Sequence, residues 1–330
     1  MLPANLDTRR LRLRRWRAAD HAPFAALNAD PEVMEFFPAL LSRAESDAMI
    51  ERIEATFDRE GLGLWAVEER ASRAFLGFVG LSPVPKELPP APGVEIGWRL
   101  GRAAWGRGIA TEAAREVLRD AFERCGLDSV VSFTSAPNSR SQSVMRAIGL
   151  WHEPGAGFDH PRVDEGPLRS HVLYRLDAVT WRCQQLPRLR PAGASDRPFL
   201  ERLHRDAYKD LHVATWGSFD EERFARHEST AWEQAGISIV EERVRAVGML
   251  QLWCGEQGLV VQEIQITPEH QNRGLGARLL NDVAGVAHAA GVDVVLSNRL
   301  QNKKATRLYE RLGFVEVRVD ETHRHMRWRC

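Results

Sequence analysis

Two short segments of this sequence carry glycine at a spacing that suits a bound anion. Gln271-Asn272-Arg273-Gly274-Leu275-Gly276 stands directly before an apolar helical stretch. Glycine at these positions lets a ligand approach the backbone with no Cβ in the way, and the helix that follows aims unpaired N–H groups and its positive end at the same point. A pyrophosphate fits such a turn. Close packing of a helix on a strand also selects glycine, so the turn alone leaves both readings open. A second segment, Asn302-Lys303-Lys304-Ala305-Thr306-Arg307-Leu308-Tyr309-Glu310-Arg311-Leu312-Gly313-Phe314, adds an amide, a phenol and another glycine downstream.

The same landmarks recur earlier in the chain. Trp105-Gly106-Arg107-Gly108-Ile109-Ala110 matches the glycine turn, with Gly274 following Gly108 by 166 residues; Cys125-Gly126-Leu127-Asp128 matches Ala290-Gly291-Val292-Asp293, and Asn138 to Gly149 matches Asn302 to Gly313. Three landmarks in one order, at so long a period, indicate a duplicated domain and not a solenoid, whose units are about 20 to 50 residues. The join falls near Leu186-Pro187-Arg188-Leu189-Arg190-Pro191, which gives domains 1–185 and 186–330. Arg15 to Asp20 and Pro191 to Asp196 read as the same strand-to-helix junction, each ending in a capping aspartate.

The elements that must position these residues follow from the apolar spacing. Residues 260–266 predict a strand; Leu279, Leu280, Val283, Val286, Ala287 and Ala290 make one helical face; Gly291 ends that helix, and 292–297 predicts the next strand. The N-terminal half repeats this with a strand over 94–100, a helix whose face carries Ala110, Ala113, Ala114, Val117, Leu118 and Ala121, and a strand over 129–134. Strand, helix and strand of these lengths make a right-handed crossover between parallel strands.

With both motifs in one order, the C-terminal half resembles the GNAT acetyltransferase superfamily. Gln271, Gly274 and Gly276 match its Gln/Arg-x-x-Gly-x-Gly/Ala signature, and Asn302, Tyr309, Gly313 and Phe314 match its Asn…Tyr…Gly-Phe segment. The resemblance implies an α/β (α+β) fold in which each domain is a mixed, mostly antiparallel sheet with a split parallel pair, flanked by helices. It implies that acetyl-CoA is held by Ile264, Ile266, Gln271, Asn272, Arg273, Gly274, Leu275, Gly276, Asn302 and Ala305, with backbone N–H groups near Ile266 polarising the thioester and Tyr309 protonating the departing thiolate. The N-terminal half is similar to the RimJ/RimL branch through Glu95-Ile96-Gly97-Trp98-Arg99-Leu100, through Trp105 to Ala113, and through Asn138, Ser141 and Val144. There the implied cofactor residues are Leu100, Arg107, Gly108, Ile109, Ala110 and Asn138. Trp105 stands where the superfamily favours Gln or Arg, and Met145 where the other half has Tyr309, so thiolate protonation falls to Ser141 or to water.

Transfer to an amine needs a base, because an ammonium is protonated near neutral pH and only the free amine attacks a thioester. Glu95 and Glu263 lie on matching strands and project to the same face, one rung apart. Either could take the proton; each could equally face solvent or pair with an arginine.

Forty-five basic residues balance 45 acidic ones, so no global field draws the chain to nucleic acid or an anionic membrane. The arginine-rich start, with Leu11 and Leu13 alternating, reads as a half-buried first strand, and no stretch predicts a membrane span. Cys125, Cys183, Cys254 and Cys330 are too scattered for a metal or redox pair, and His152, His160 and His171 lack metal-ligand spacing, so no metal is expected. Phe36-Phe37-Pro38 and Trp65 read as core, while His212, Trp216, His323, Arg324 and His325 read as packing or surface residues, and Glu221-Glu222-Arg223 as a solvated face. The expectation is a cytoplasmic N-acetyltransferase, monomer or homodimer, that moves acetyl from acetyl-CoA to a primary amine of a small molecule or peptide at its C-terminal domain. Its rivals are protein N-terminal acetylation by the first domain, with the second as scaffold, and a non-catalytic acyl-CoA sensor.

Overall fold

A computed structural model describes residues 5–216 and 236–330. The first part of the chain forms β1 (Asn5–Asp7), β2 (Leu11–Arg14), α1 (His21–Asn28), α2 (Arg43–Glu60), β3 (Leu64–Glu69), β4 (Phe75–Pro83), β5 (Val94–Leu100), α3 (Ile109–Arg119), β6 (Ser129–Ser135), α4 (Ser139–Ala147), β7 (Trp151–His152), β8 (Phe158–Asp159) and β9 (Ser170–Asp177). There follow α5 (Ala178–Gln184), β10 (Leu189–Pro191), α6 (Arg197–Trp216), β11 (Ile237–Glu242), β12 (Arg245–Gly255), β13 (Gly258–Ile266), α7 (Leu275–Ala289), β14 (Val294–Arg299), α8 (Lys303–Arg311), β15 (Val315–Val319) and β16 (His323–Trp328). Two compact units result, Met1–Ile148 with Glu153–Arg175, and Gly149–His152 with Leu176–Cys330. The side chains of His212 and Trp216, and all of Glu221-Glu222-Arg223, lie outside the described residues.

Each unit is a mixed α/β layer. The first sheet runs β1-β2-β3-β4-β5-β6-β9-β7 with β8 beside β9, and the second runs β10-β11-β12-β13-β14-β16-β15. Wherever the register is defined, pairing is antiparallel except at one place in each sheet. β5 and β6 are parallel and meet only at Glu95 and Val131, while β13 and β14 are parallel from Leu259/Val294 to Val261/Leu296. Beyond those residues the strands part, leaving Ile96–Leu100 and Gln262–Ile266 without a partner on that side. This is the split parallel pair expected from the resemblance. A register shift between Gln251 and Leu252 makes Gln262 an extra residue in β13, which turns Glu263 away from the face that Val261 occupies.

The cores follow the predicted faces. Leu279, Leu280, Val283 and Ala287 of α7 pack on Leu250, Leu252, Leu259, Val261, Val294 and Leu296, and on the other face Leu200 and Leu203 of α6 cover Ile239 and Met249. In the first unit Ala113, Ala114, Val117 and Leu118 of α3 are buried, as are Ile96 and Leu100 of β5. Removing one such leucine side chain costs about 2–5 kcal/mol through lost transfer energy and the cavity left behind. Leu11 and Leu13 are fully buried in β2, which is the second strand of its sheet and not the first.

The repeated strand-to-helix junction has a specific anchor. Asp20 accepts two bonds from Arg14, at 2.7 and 2.8 Å, and one from the Arg17 backbone; Asp196 accepts two from Arg190, both at 2.7 Å, and one from the Gly193 backbone. The aspartate thus ends the turn and fixes the strand beside it. Farther on, Ser42 and Glu45 cap the start of α2 reciprocally. Among the described residues no helix is long and apolar enough to cross a membrane.

Candidate active site

The glycine turns sit where the chain leaves the parting strand and enters α3 or α7. Gly108 and Gly274 are the N-cap residues, at φ +71° and +74°, a left-handed conformation that glycine adopts without strain. Two residues earlier Gly106 (φ +68°) and Asn272 (φ +58°) share the same region. Packing does not explain these glycines: a Cβ built at Gly106 or Gly276 meets nothing within 4 Å. Gly276 also lies inside a regular helix, so neither backbone conformation nor a neighbour requires glycine there. Open space above N–H groups at a helix start is what an approaching pyrophosphate needs.

A second bond ties each turn to its strand. Gln271 donates from Nε2 to the Ile266 carbonyl at 2.9 Å, and Trp105, its counterpart, donates from Nε1 to the Leu100 carbonyl at 2.8 Å. The departure of Trp105 from the family pattern therefore keeps the bond. Lys304 lies 3.3 Å from Gln271 Oε1, adding a cation beside the second turn. Arg107 turns aside to Glu69 at 2.5 Å and to the Ala103 carbonyl.

In the first unit the parted strands open a cavity of about 690 Å³. Glu95, Leu100, Gly108, Ile109, Ala110, Asn138 and Ser141, all singled out in the sequence, line it together; Arg107 does not. Asn138 caps α4 by accepting from the Ser141 backbone, and its Nδ2 donates to Thr134 Oγ1 at 2.9 Å and to Ser141 Oγ at 3.1 Å. Ser141 Oγ therefore accepts one bond from Asn138 and keeps its own proton to give. Glu95 faces the cavity on the side of β5 that carries Gly97 and Arg99. Desolvation pushes its carboxyl up to about 8.

Other lining residues were not expected. Phe36, Phe37 and Pro38, read as core, form a wall of the cavity, and His160 and His171 line it too, their ring centroids 5.0 Å apart. Burial holds both histidines below the usual imidazole value. Trp65 does belong to the core, 1% exposed against Phe57. The one sequence signal for Phe36 and Phe37 is adjacent aromatics beside a proline, a pattern that cores share.

In the second unit Glu263 and Gln265 share the face under α6, where Gln265 Nε2 donates to Glu263 Oε1 at 2.6 Å and lies 3.0 Å from His204 Nδ1. Tyr309 is 7% exposed on α8, and burial, with the nearby Glu263 charge, pushes its phenol up to about 12. It stays protonated across the physiological range and is available as an acid. Asn302 caps α8 by accepting from the Ala305 backbone, and Ile264, Ile266 and Ala305 pack beside the α7 core. His325 pairs with Asp320 at 2.7 Å, and Arg324 with Glu316 at 2.5 Å, both near the surface. Among the described residues no group of histidines, cysteines and carboxylates could hold a metal.

Both halves of the chain match known proteins in sequence. Residues 10–150 and residues 233–316 each match a family described as "Acetyltransferase (GNAT) domain". Over 210 residues the chain is 31% identical to FsC-acetyl coenzyme A-N(2)-transacetylase of Aspergillus fumigatus, covering 59% of this chain and 88% of that protein. It is 28% identical over 294 residues to the mycothiol acetyltransferase of Geodermatophilus obscurus, covering 77% of this chain and 92% of that protein. A solved acetyltransferase from Agrobacterium tumefaciens matches with 27% identity and a TM-score of 0.45, over 53% of this chain and 95% of that one. Two parted parallel pairs, two glycine turns and two family matches make this chain a tandem member of the GNAT acetyltransferase family, an acyltransferase whose family uses acetyl-CoA as co-substrate.

Proposed function

We propose that the first unit transfers acetyl from acetyl-CoA to a primary amine of a small molecule or peptide. The observation that carries this is the single cavity in which Glu95, the Gly108 turn and Ser141 meet. The turn and the Asn138 cap would hold acetyl-CoA along the gap between β5 and β6. Glu95, with its pKa near 8, is matched to removing a proton from an ammonium near neutral pH, directly or through water. The amine nitrogen then attacks the thioester carbon, the carbon–sulfur bond breaks, and the proton that the nitrogen sheds passes through Ser141 or water to the departing thiolate, giving an amide and CoA. The duplicated motifs support a join near residue 186, whereas the compact units divide between Arg175 and Leu176.

A second reading places turnover in the C-terminal unit. It is favoured by Tyr309, a buried phenol beside Glu263, on a unit whose turn keeps both Gly274 and Gly276. CoA release with a panel of amines separates the two. Loss of activity in Glu95→Gln with full activity in Tyr309→Phe supports the first unit; the opposite pattern moves catalysis to the second. Tight acetyl-CoA binding without release from any amine would favour a sensor.

A further inference from the structure

Arg99 is a buried cation with too few partners. It is 8% exposed, lies next to the last residue of β5, and lines the same cavity as Glu95. Its guanidinium donates from Nη1 to Asn28 Oδ1 at 2.7 Å, and Asn28 is held in turn by its bond to Ser46 Oγ at 3.0 Å. The guanidinium stacks 4.1 Å above the Phe37 ring and lies 5.6 Å from that of Phe78. Its Nε has no hydrogen-bond partner, and among the described residues no carboxylate reaches ion-pairing distance. Glu32, which also lines the cavity, pairs instead with Arg102 at 2.5 Å.

A buried charge without a counter-ion costs several kcal/mol in isolation. Here Asn28 and Phe37 hold the guanidinium from one side and one face, and an edge is left free. That geometry suits a planar carboxylate, which takes two parallel N–H bonds. Desolvation lowers the Arg99 pKa only to about 10, so the charge persists at neutral pH.

We propose that Arg99 is the acceptor-specificity residue of the first unit and binds a carboxylate of the amine substrate. This rests on the reading of the cavity as the transfer site. Glu95 and Arg99 stand four residues apart on one face of β5, about 13 Å along the strand. The acceptor therefore carries its amine and its carboxylate several bonds apart, not on one carbon. Arg99 faces α1, across the sheet from α3 and its glycine turn, so the anion it takes is not the pyrophosphate.

The test pairs 5-aminopentanoate with 5-aminopentanamide, which differ in charge and little in shape. Two quantities are measured for wild type, Arg99→Met and Arg99→Lys: CoA release with acetyl-CoA, and calorimetric binding of each amine to CoA-saturated protein. Wild type is expected to favour the carboxylate about ten- to hundredfold. Arg99→Met should bring that ratio near one, and Arg99→Lys, which keeps the charge without the fork, should retain part of it. Should Arg99→Met fail to fold, the wild-type preference and the lysine variant still decide. An unchanged ratio, no wild-type preference, or an equal loss of acetyl-CoA affinity in Arg99→Met overturns the assignment. Carboxylate-selective binding lost in Arg99→Met but without CoA release would uphold Arg99 and overturn the transfer reading instead.

Discussion

The indole N–H of Trp105 donates to the carbonyl oxygen of Leu100 at 2.8 Å, and so ties the last residue of β5 to the turn that opens α3. Gln271 makes the matching bond to Ile266 in the second unit. Two side chains of different chemistry thus fix the same corner, because each presents an N–H at a similar reach. Replacing Trp105 by Gln should preserve the bond, whereas Trp105→Phe should remove it at a cost of about 0.5–1.5 kcal/mol. Calorimetry of acetyl-CoA binding should show Trp105→Phe weakened about two- to tenfold and Trp105→Gln close to wild type.

Glu95→Gln should lower kcat/KM by about a hundred- to ten-thousandfold if Glu95 is the base. The wild-type pH–rate profile should rise with a limb near 8, the value burial imposes on this carboxyl, and the limb should vanish in the variant. A profile with the same limb in Glu95→Gln would assign the proton to another group.

The same carboxyl has a cost for stability, with a defined sign. Its pKa is raised on folding, so between about pH 4.5 and 8 the folded chain holds a proton that the unfolded chain has lost. Stability from this group therefore falls as pH rises through that window. Melting temperatures of wild type and Glu95→Gln should converge near pH 5 and separate toward pH 9, with the variant the more stable by about 1–3 kcal/mol. Parallel curves would mean that Glu95 is not desolvated.

Acetyl-CoA stoichiometry tests both turns at once. Gly108→Val and Gly274→Val each force a β-branched residue to φ near +70°, at about 1–3 kcal/mol of strain, and place a side chain where the ligand must approach. Titration should give two sites in wild type and one in each variant; two sites surviving in either would show that its turn does not hold the cofactor.

The duplicated arginine–aspartate anchors should differ in weight. Arg14 and Asp20 have side chains 5% and 3% exposed, whereas Arg190 is 40% exposed. Asp20→Ala leaves a buried guanidinium short of its partner and should cost about 3–5 kcal/mol, while Asp196→Ala, screened by water, should cost much less. Denaturant melts of the two variants, read unit by unit, give the comparison.

Much of this protein was legible along the chain. The strand over 94–100 matches β5 residue for residue, and the helical face read from Leu279 to Ala287 is the face that α7 buries, because apolar period is a local property of the chain. The glycine turns and the duplication rest on residue types at fixed spacing, and they too are local, whereas the capping of α4 by Asn138 and of α8 by Asn302 came with the structure. Gln262 is different. The extra residue it makes in β13 depends on pairing with β12, which no spacing along 258–266 reveals.

The sequence by itself determined the two domains, the turn chemistry and the candidate carboxylates, since each is set by neighbours within a few residues. Only the tertiary structure decided that Glu95, Ser141 and Arg99 share one cavity with Phe36 and Phe37. Their segments are tens of residues apart, and the desolvation of Glu95 and the missing counter-ion of Arg99 arise only when α1, β5, β6 and α4 gather around the same space.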